Sequence, residues 1–405
     1  MSKIAQNVLV ATVLFLNTML SCQANDTSAA MGAGGLTFQQ SANVSMLSEK
    51  LFISEKEIRV DYQFKNTSDS DVTTTVAFPF PLIPNGDYIP MPALTGPFPE
   101  NYVSFKVNVN NHPITTEVTY QAIHNDTHED VTAKVKQAGL PMDPNQYWGN
   151  AFLELSPETL KYLHDNKLLN NEDDLFQATW SFNKETGLAE TYDTQTNVSA
   201  LLKKHGLPVN PGDLKDGQLE PLSLEAKKEL LAAKAIDRPM IPNWSFQTVR
   251  YWQQTFPKNS IVHVQHRYVP ILGATAGSPF NMVCEQENNP EKPYCIDKNL
   301  IAALDPRHRF NCKAYTGGEN PQHEVGFLDY ILTTGANWNG PIQDFTLTID
   351  KGHPKNFVSL CFSGLKKISP TQFQYKSKNF TPKQDLHILL FRHFTNAPNG
   401  NRKYD

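Results

Sequence analysis

Ile58, Val60, Tyr62 and Phe64 alternate with Arg59, Asp61, Gln63 and Lys65, and this period-two split restricts the fold more than any other feature of the chain. Successive side chains of a strand point to opposite faces, so the run is a strand with one buried face, which needs a second layer to cover it. Val72, Thr74, Val76 and Phe78 repeat the pattern beyond the polar stretch 66–71, which reads as an antiparallel hairpin. A second hairpin is expected from Val103, Phe105, Val107 and Val109, a turn at 110–113, and Ile114, Thr116, Val118 and Tyr120. The seven prolines between Pro79 and Pro99 exclude a central strand there and predict a surface excursion. Val262, Val264, His266 and Tyr268 line one face of a later strand, and further strand-like runs occupy 327–332, 345–349, 357–362 and 386–394. The expected fold class is mainly β: antiparallel β-sandwich domains with an inserted, internally duplicated helical segment.

The duplication is visible at one constant offset. Gly139-Leu140-Pro141-Met142-Asp143-Pro144 matches Gly206-Leu207-Pro208-Val209-Asn210-Pro211, Leu155-Ser156 with Glu158 matches Leu222-Ser223 with Glu225, and Leu163 matches Leu230. Each glycine suits the left-handed position that ends a helix, with the following leucine packing back and the proline preventing continuation. Ser156 and Ser223 suit the N-cap of the next helix, with an acidic residue in its first turn. Two helix-turn-helix units are therefore expected between about 127 and 236, with 175–182 as a strand returning to the sheet.

The chain begins with the layout of a secretory leader: Lys3, a short apolar run from Val8 to Leu16, and a more polar tail to Ala24. The run is about half of the roughly 20 residues a membrane span needs. Cleavage after Ala24 would start the mature chain at Asn25; the rival reading makes Cys22 a lipidated first residue. The protein is accordingly expected to be exported, periplasmic or secreted, with no transmembrane helix once the leader is gone. Its net charge of −5 and lack of a long basic stretch argue against nucleic acid as a partner.

Four cysteines remain beyond Cys22: Cys284, Cys295, Cys312 and Cys361. An even number in an exported chain reads as two disulfides, and three pairings are open. Their spacings lack the close pairs of structural zinc sites. The irregular stretch 271–325 holds three of the four, and a loop of that length fits tethering.

Candidate site residues are few. His124 and His128 would share a face if that stretch were helical, a spacing that suits Zn²⁺ or Cu²⁺; the competing account is a solvated helix start. His266 sits on the apolar face of its strand, so a buried histidine bonded to backbone or to a tyrosine competes with a catalytic role. Trp244, Tyr251 and Trp252 could stack on a sugar or simply fill a core. No catalytic residues, no cofactor and no metal ligands are assigned on these grounds.

Gly35-Leu36, the stretch 51–64, Asn66 and Phe78-Pro79 resemble the opening of an exported bacterial family of unknown function, domain-of-unknown-function family 4424. Tyr251-Trp252-Gln253-Gln254-Thr255-Phe256-Pro257, followed by His266, Tyr268 and Pro270, resembles its middle motif. Trp338-Asn339-Gly340-Pro341-Ile342, Phe345, Leu347 and Cys361 resemble its closing part. The resemblance implies architecture and an envelope location and supplies no chemistry. The expected division is a leader (1–24), N-terminal sandwich strands (25–123), the duplicated helical insert (124–236), strands completing the first β-domain (237–270), and a cysteine-containing loop region with a C-terminal β-domain (271–405). The expected function is a binding or structural module with an unknown protein or glycan ligand in the cell envelope. The alternative is an exported hydrolase, metal-dependent or not, with a site around His266 or around His124 and His128.

Overall fold

The computed structural model describes residues 25–32, 35–83, 101, 103–143, 155–169, 177–192, 194–215, 217–219, 221–237, 242–274, 280–281, 283–284, 294–305, 311–312, 323–396 and 402–404. In chain order the first strands are β1 (Thr27–Gly32), β2 (Gly35–Gln39), β3 (Val44–Ser54), β4 (Ile58–Asn66), β5 (Val72–Ile83), β6 (Lys106–Val109), β7 (His112–Ile114) and β8 (Glu117–His124). The insert follows: α1 (Thr132–Gln137), α2 (Pro157–Asp165), β9 (Gln177–Ala178), β10 (Trp180–Asn183), β11 (Leu188–Thr191), α3 (Ser199–Lys204), α4 (Leu224–Ala232) and β12 (Ile236–Asp237). Then come β13 (Trp244–Phe256), β14 (Ile261–Tyr268), β15 (Gly273–Ala274), α5 (Lys298–Leu304), β16 (His323–Tyr330), β17 (Ile342–Asp350), β18 (Phe357–Ser359), β19 (Lys366–Lys367), β20 (Gln372–Phe380), β21 (Leu386–Asn396) and β22 (Arg402–Tyr404).

One layer of the sandwich is an eight-stranded sheet in the order β19-β20-β17-β3-β4-β14-β6-β7. Two smaller sheets, β2-β1-β5-β13-β8 and β15-β16-β21-β18, cover its inner face. The alternation read from β4 and β14 is present: Ile58, Val60, Tyr62 and Phe64 point inward, as do Val262, Val264, His266 and Tyr268. They meet Val76, Phe78, Phe80, Trp252 and Phe256 from one covering sheet and Leu328, Tyr330, Ile388 and Leu390 from the other. The fold is mainly β and built of antiparallel sheets, with one parallel pairing, β3 to β17.

Several expected connections differ. β4 and β5 do not form a hairpin: β4 pairs with β3 and β14, while β5 pairs with β1 and β13 in the opposite layer. Both strands still bury one face, which the crossing satisfies as well as a hairpin would. Asn66 pins the crossing, its amide donating to the carbonyls of Ser70 and Phe256 at 2.8 Å each. The second hairpin is shorter than expected. β6 and β7 turn through Asn110 and Asn111, both at positive φ as a tight two-residue turn requires. The chain then leaves the large sheet, and β8 pairs with β13. β5 extends through Pro79 and Pro81 despite the expected exclusion. β1 covers it only at Thr75–Ala77, so the later prolines forfeit no ladder bond on that side, and a register shift in β13 between Gln247 and Val249 absorbs them on the other.

Strands from the stretch after residue 271 join the same sandwich. β17 and β20 belong to the large sheet, and β16 and β21 close the same core. Cys284 pairs with Cys312 and Cys295 with Cys361, at Cα separations of 5.3 and 4.9 Å, within the ordinary disulfide range.

The insert repeats its geometry twice. Gly139 and Gly206 sit at φ +73° and +70°. Ser156 accepts from the Thr159 amide and Ser223 from the Ala226 amide, each at 3.2 Å. Thr132 caps the Ala122 amide as Ser199 caps that of Ala189. The strand expected to return to the main sheet stays in the insert instead, where β10 pairs with β11 and β9 with β12. Trp180 faces Thr191 as Trp244 faces His124, so Trp180-Ser181-Phe182 is the first-copy counterpart of Trp244-Ser245-Phe246. The strand that closes one unit thus belongs in sequence to the other.

Candidate functional site

The most unusual chemistry lies in the middle of the sandwich. A bulge between Met46 and Ser48 places one extra residue in β3, so beyond it the inward parity moves to Glu49, Leu51 and Ile53. Glu49 therefore enters the apolar core directly across from Tyr62. Asn25 meets it from the start of the described chain, its amide donating to both carboxylate oxygens at 3.1 and 3.0 Å. The Asn25 carbonyl oxygen accepts from the Tyr62 hydroxyl and, at 2.9 Å, from the Asp26 backbone amide. Trp338 holds this segment by donating its indole N–H to the Asp26 carbonyl at 2.6 Å.

Asp26 points its carboxylate toward His266, with Oδ1 3.4 Å from Nε2 and both side chains without solvent exposure. Neither carboxylate oxygen and neither ring nitrogen makes a hydrogen bond. The rings of Tyr62, Phe78, Phe105 and Trp252 enclose the imidazole edge to face, with centroids 5.4, 4.9, 5.1 and 5.6 Å away. Tyr330 from β16, fully buried in the same core, completes the cluster.

Burial sets the protonation of these groups. Desolvation pushes the Glu49 carboxyl up to about 8, the Asn25 amide opposing it. Desolvation, then repulsion from Glu49, holds Asp26 well above the usual carboxylate range. Burial alone pulls His266 down to about 3. The site therefore contains two acids and a neutral base inside an aromatic shell.

His266 is buried as the alternation implied, but it bonds to neither backbone nor tyrosine. His124 ends β8 and His128 follows a turn at φ +58°, so they share no helix face. The His124 ring is engaged on both sides: Nε2 lies 2.9 Å from the Lys167 carbonyl oxygen, and Nδ1 accepts from the Asp126 and Thr127 amides. Among the described residues no group of three or more His, Cys, Asp or Glu is arranged to hold a metal ion. Trp244 and Trp252 are buried, and Tyr251 bonds to Glu117 at 2.8 Å, so the three present no open stacking platform.

Asn25, Asp26, Glu49 and Tyr330 were not anticipated. One signal was available: Glu49 shares parity with Leu51 and Ile53, the apolar positions that follow it.

Fold and site together define a class: a two-layer β-sandwich with a closed acidic core and a duplicated helical insert. The chain belongs to the family described as a domain of unknown function, DUF4424, whose model matches residues 24–198 and again 184–389. The two matches overlap at residues 184–198, inside the insert. No curated protein matches the sequence. Among solved structures, a Legionella pneumophila chain provisionally described as a nutrient binding protein is similar at 14% identity and a TM-score of 0.39, covering 91% of this chain and 70% of that one. No described helix is long and apolar enough to cross a membrane.

Proposed function

We propose that this protein is exported and acts in the cell envelope or outside the cell as a binding or structural module, its ligand a protein or a glycan. The observation that carries this reading is the enclosure of His266. The place among the described residues where a histidine meets a fully buried carboxyl is packed with aromatic rings, which leaves a substrate no contact with Asp26 or His266. The two disulfides support export, because such bonds persist in oxidising compartments. The duplicated insert supports binding, because it sets two capped helical units beside one another at the end of the β8–β13 ribbon.

The test has two arms. Cell fractionation with and without residues 1–24 reads location, and cytosolic retention with Met1 intact defeats the reading. Co-sedimentation of the purified protein with isolated cell-wall polysaccharide is then measured for the whole protein and for His266→Gln. Equal retention is expected. A hydrolytic loss of polysaccharide that disappears in His266→Gln would establish the enzyme instead.

A further inference from the structure

Asp26 is a fully buried carboxyl with no hydrogen bond to either oxygen, and Glu49, also fully buried, has only the neutral amide of Asn25. Uncompensated buried carboxylates are strongly unfavourable, and proteins place a cation beside them or keep them protonated. Among the described residues no Lys or Arg pairs with either acid; the nearest base is His266 from β14, its Nε2 3.4 Å from Asp26 Oδ1 with no hydrogen bond between them, and Tyr62 from β4 and Tyr330 from β16 are the other ionisable groups beside the cluster. Asn25 contacts the Glu49 carboxyl and immediately precedes Asp26 in the chain. Its side-chain amide donates to Glu49, its Oδ1 accepts from the Asp26 backbone amide, and it has no solvent exposure. It is also the residue that cleavage after Ala24 would make the first of the mature chain.

We propose that hydrolysis of the Ala24–Asn25 peptide bond leaves the new α-ammonium of Asn25 inside the sandwich as the counter-ion of Asp26 and Glu49, so that removal of the leader completes the core. This rests on the export reading above. The step consumes one water: its hydroxyl goes to the Ala24 carbonyl carbon and its proton to the Asn25 nitrogen. The amine then takes a second proton from one of the two buried carboxyls, which leaves one ammonium–carboxylate pair and one carboxyl still protonated. Before cleavage the same nitrogen is a peptide amide and carries no charge. The core polar cluster thus differs before and after processing: the intact precursor holds two acids with no ammonium beside them, and the mature chain holds one ammonium, one carboxylate and one neutral acid.

The test compares a chain released from a fusion to begin at Asn25 with one that keeps Ala24. Acetylation of the α-amine by an N-hydroxysuccinimide ester is followed by mass spectrometry of the N-terminal peptide. The Asn25 amine of the folded protein is expected to react on the order of a hundredfold more slowly than the same protein in urea, because reaction requires local opening. The Ala24-bearing chain is expected to melt at a lower temperature. Asp26→Asn in the Asn25-first chain is expected to shrink that gap. Labelling of the native Asn25 amine at the unfolded rate, equal melting of the two chains, or an exported protein whose first residue is other than Asn25 would each overturn the proposal while leaving export standing. Retention of the leader in the cytosol would remove both.

Discussion

Asp26 Oδ1 and His266 Nε2 lie 3.4 Å apart in a region closed to solvent, and neither group makes a hydrogen bond. An acid and a base so placed respond to pH in opposite senses, which makes the stability profile of the protein specific.

In a chain whose Asn25 nitrogen is still a peptide amide, the folded Glu49 carboxyl is pushed up to about 8 from an ordinary 4.5. Its contribution to stability is complete below 4.5 and is lost as pH rises toward 8, and Asp26, also raised, has the same sign. His266 is depressed from 6.5 to about 3, so its contribution is complete above 6.5 and is lost as pH falls toward 3. Such a chain is expected to be most stable on the acid side of neutrality, with an alkaline decline on the order of a few kcal/mol. Urea denaturation across pH 5 to 8 measures it. Glu49→Gln is expected to flatten the alkaline limb, and an unchanged slope in that variant would refute the assignment.

Gly335 leaves no room for a side chain beside the polar cluster. A Cβ there would stand 2.8 Å from Asn25 Nδ2 and 3.2 Å from Ile342 Cδ1. The amide cannot retreat without releasing Glu49. Gly335→Ala is therefore expected to cost about 1–3 kcal/mol, the usual range for overpacking a core. A thermal melt within a degree of the parent protein would contradict this.

The two helical units supply a controlled comparison. Gly139 and Gly206 share a left-handed backbone, and an added Cβ at either meets no atom within 4 Å, so alanine there strains only the backbone. The cost is expected to be about 1 kcal/mol at each and equal between copies. Ser156→Ala and Ser223→Ala are expected to match one another in the same way, at about 1 kcal/mol each. Chemical denaturation of the four variants reads the differences; a twofold disparity within either pair would show that the copies are energetically unlike.

The disulfides are expected to differ in weight. Cys295–Cys361 closes a separation of 66 residues and Cys284–Cys312 one of 28, and the longer closure restrains the unfolded chain more. Replacing Cys295 and Cys361 by serine should destabilise by about 2–4 kcal/mol, and replacing the other pair by slightly less. Peptide mapping without reductant checks the pairing, and four free thiols in the purified protein would dispose of it.

Much of the architecture was legible locally. The inward faces of β4 and β14, the left-handed glycines and the serine caps follow from spacing alone, because each depends on residues within a few positions of one another. Strand partnership did not follow. Alternation in β4 and β5 says that each has a buried face and is silent on whether they pair or cross between layers. The acidic core was hidden for a related reason. The extra residue in β3 shifts parity, so Glu49 reads as part of a polar stretch until the strand is seen to change face. Asn25 and Asp26 gave no local signal, since what distinguishes them is contact with β3, β14 and Trp338.

β3 lies beside β17, in parallel register from Ser48 with Asp344 to Ser54 with Asp350, in the interior of the largest sheet. β3 has β4 on one side at once but lacks its other neighbour until residues 344–350 have been made, and closing so large a loop is slow. A chain wired this way cannot complete its largest sheet until β17 is in place beside β3. Its topology makes the joining of the two ends of the sequence a late event in folding.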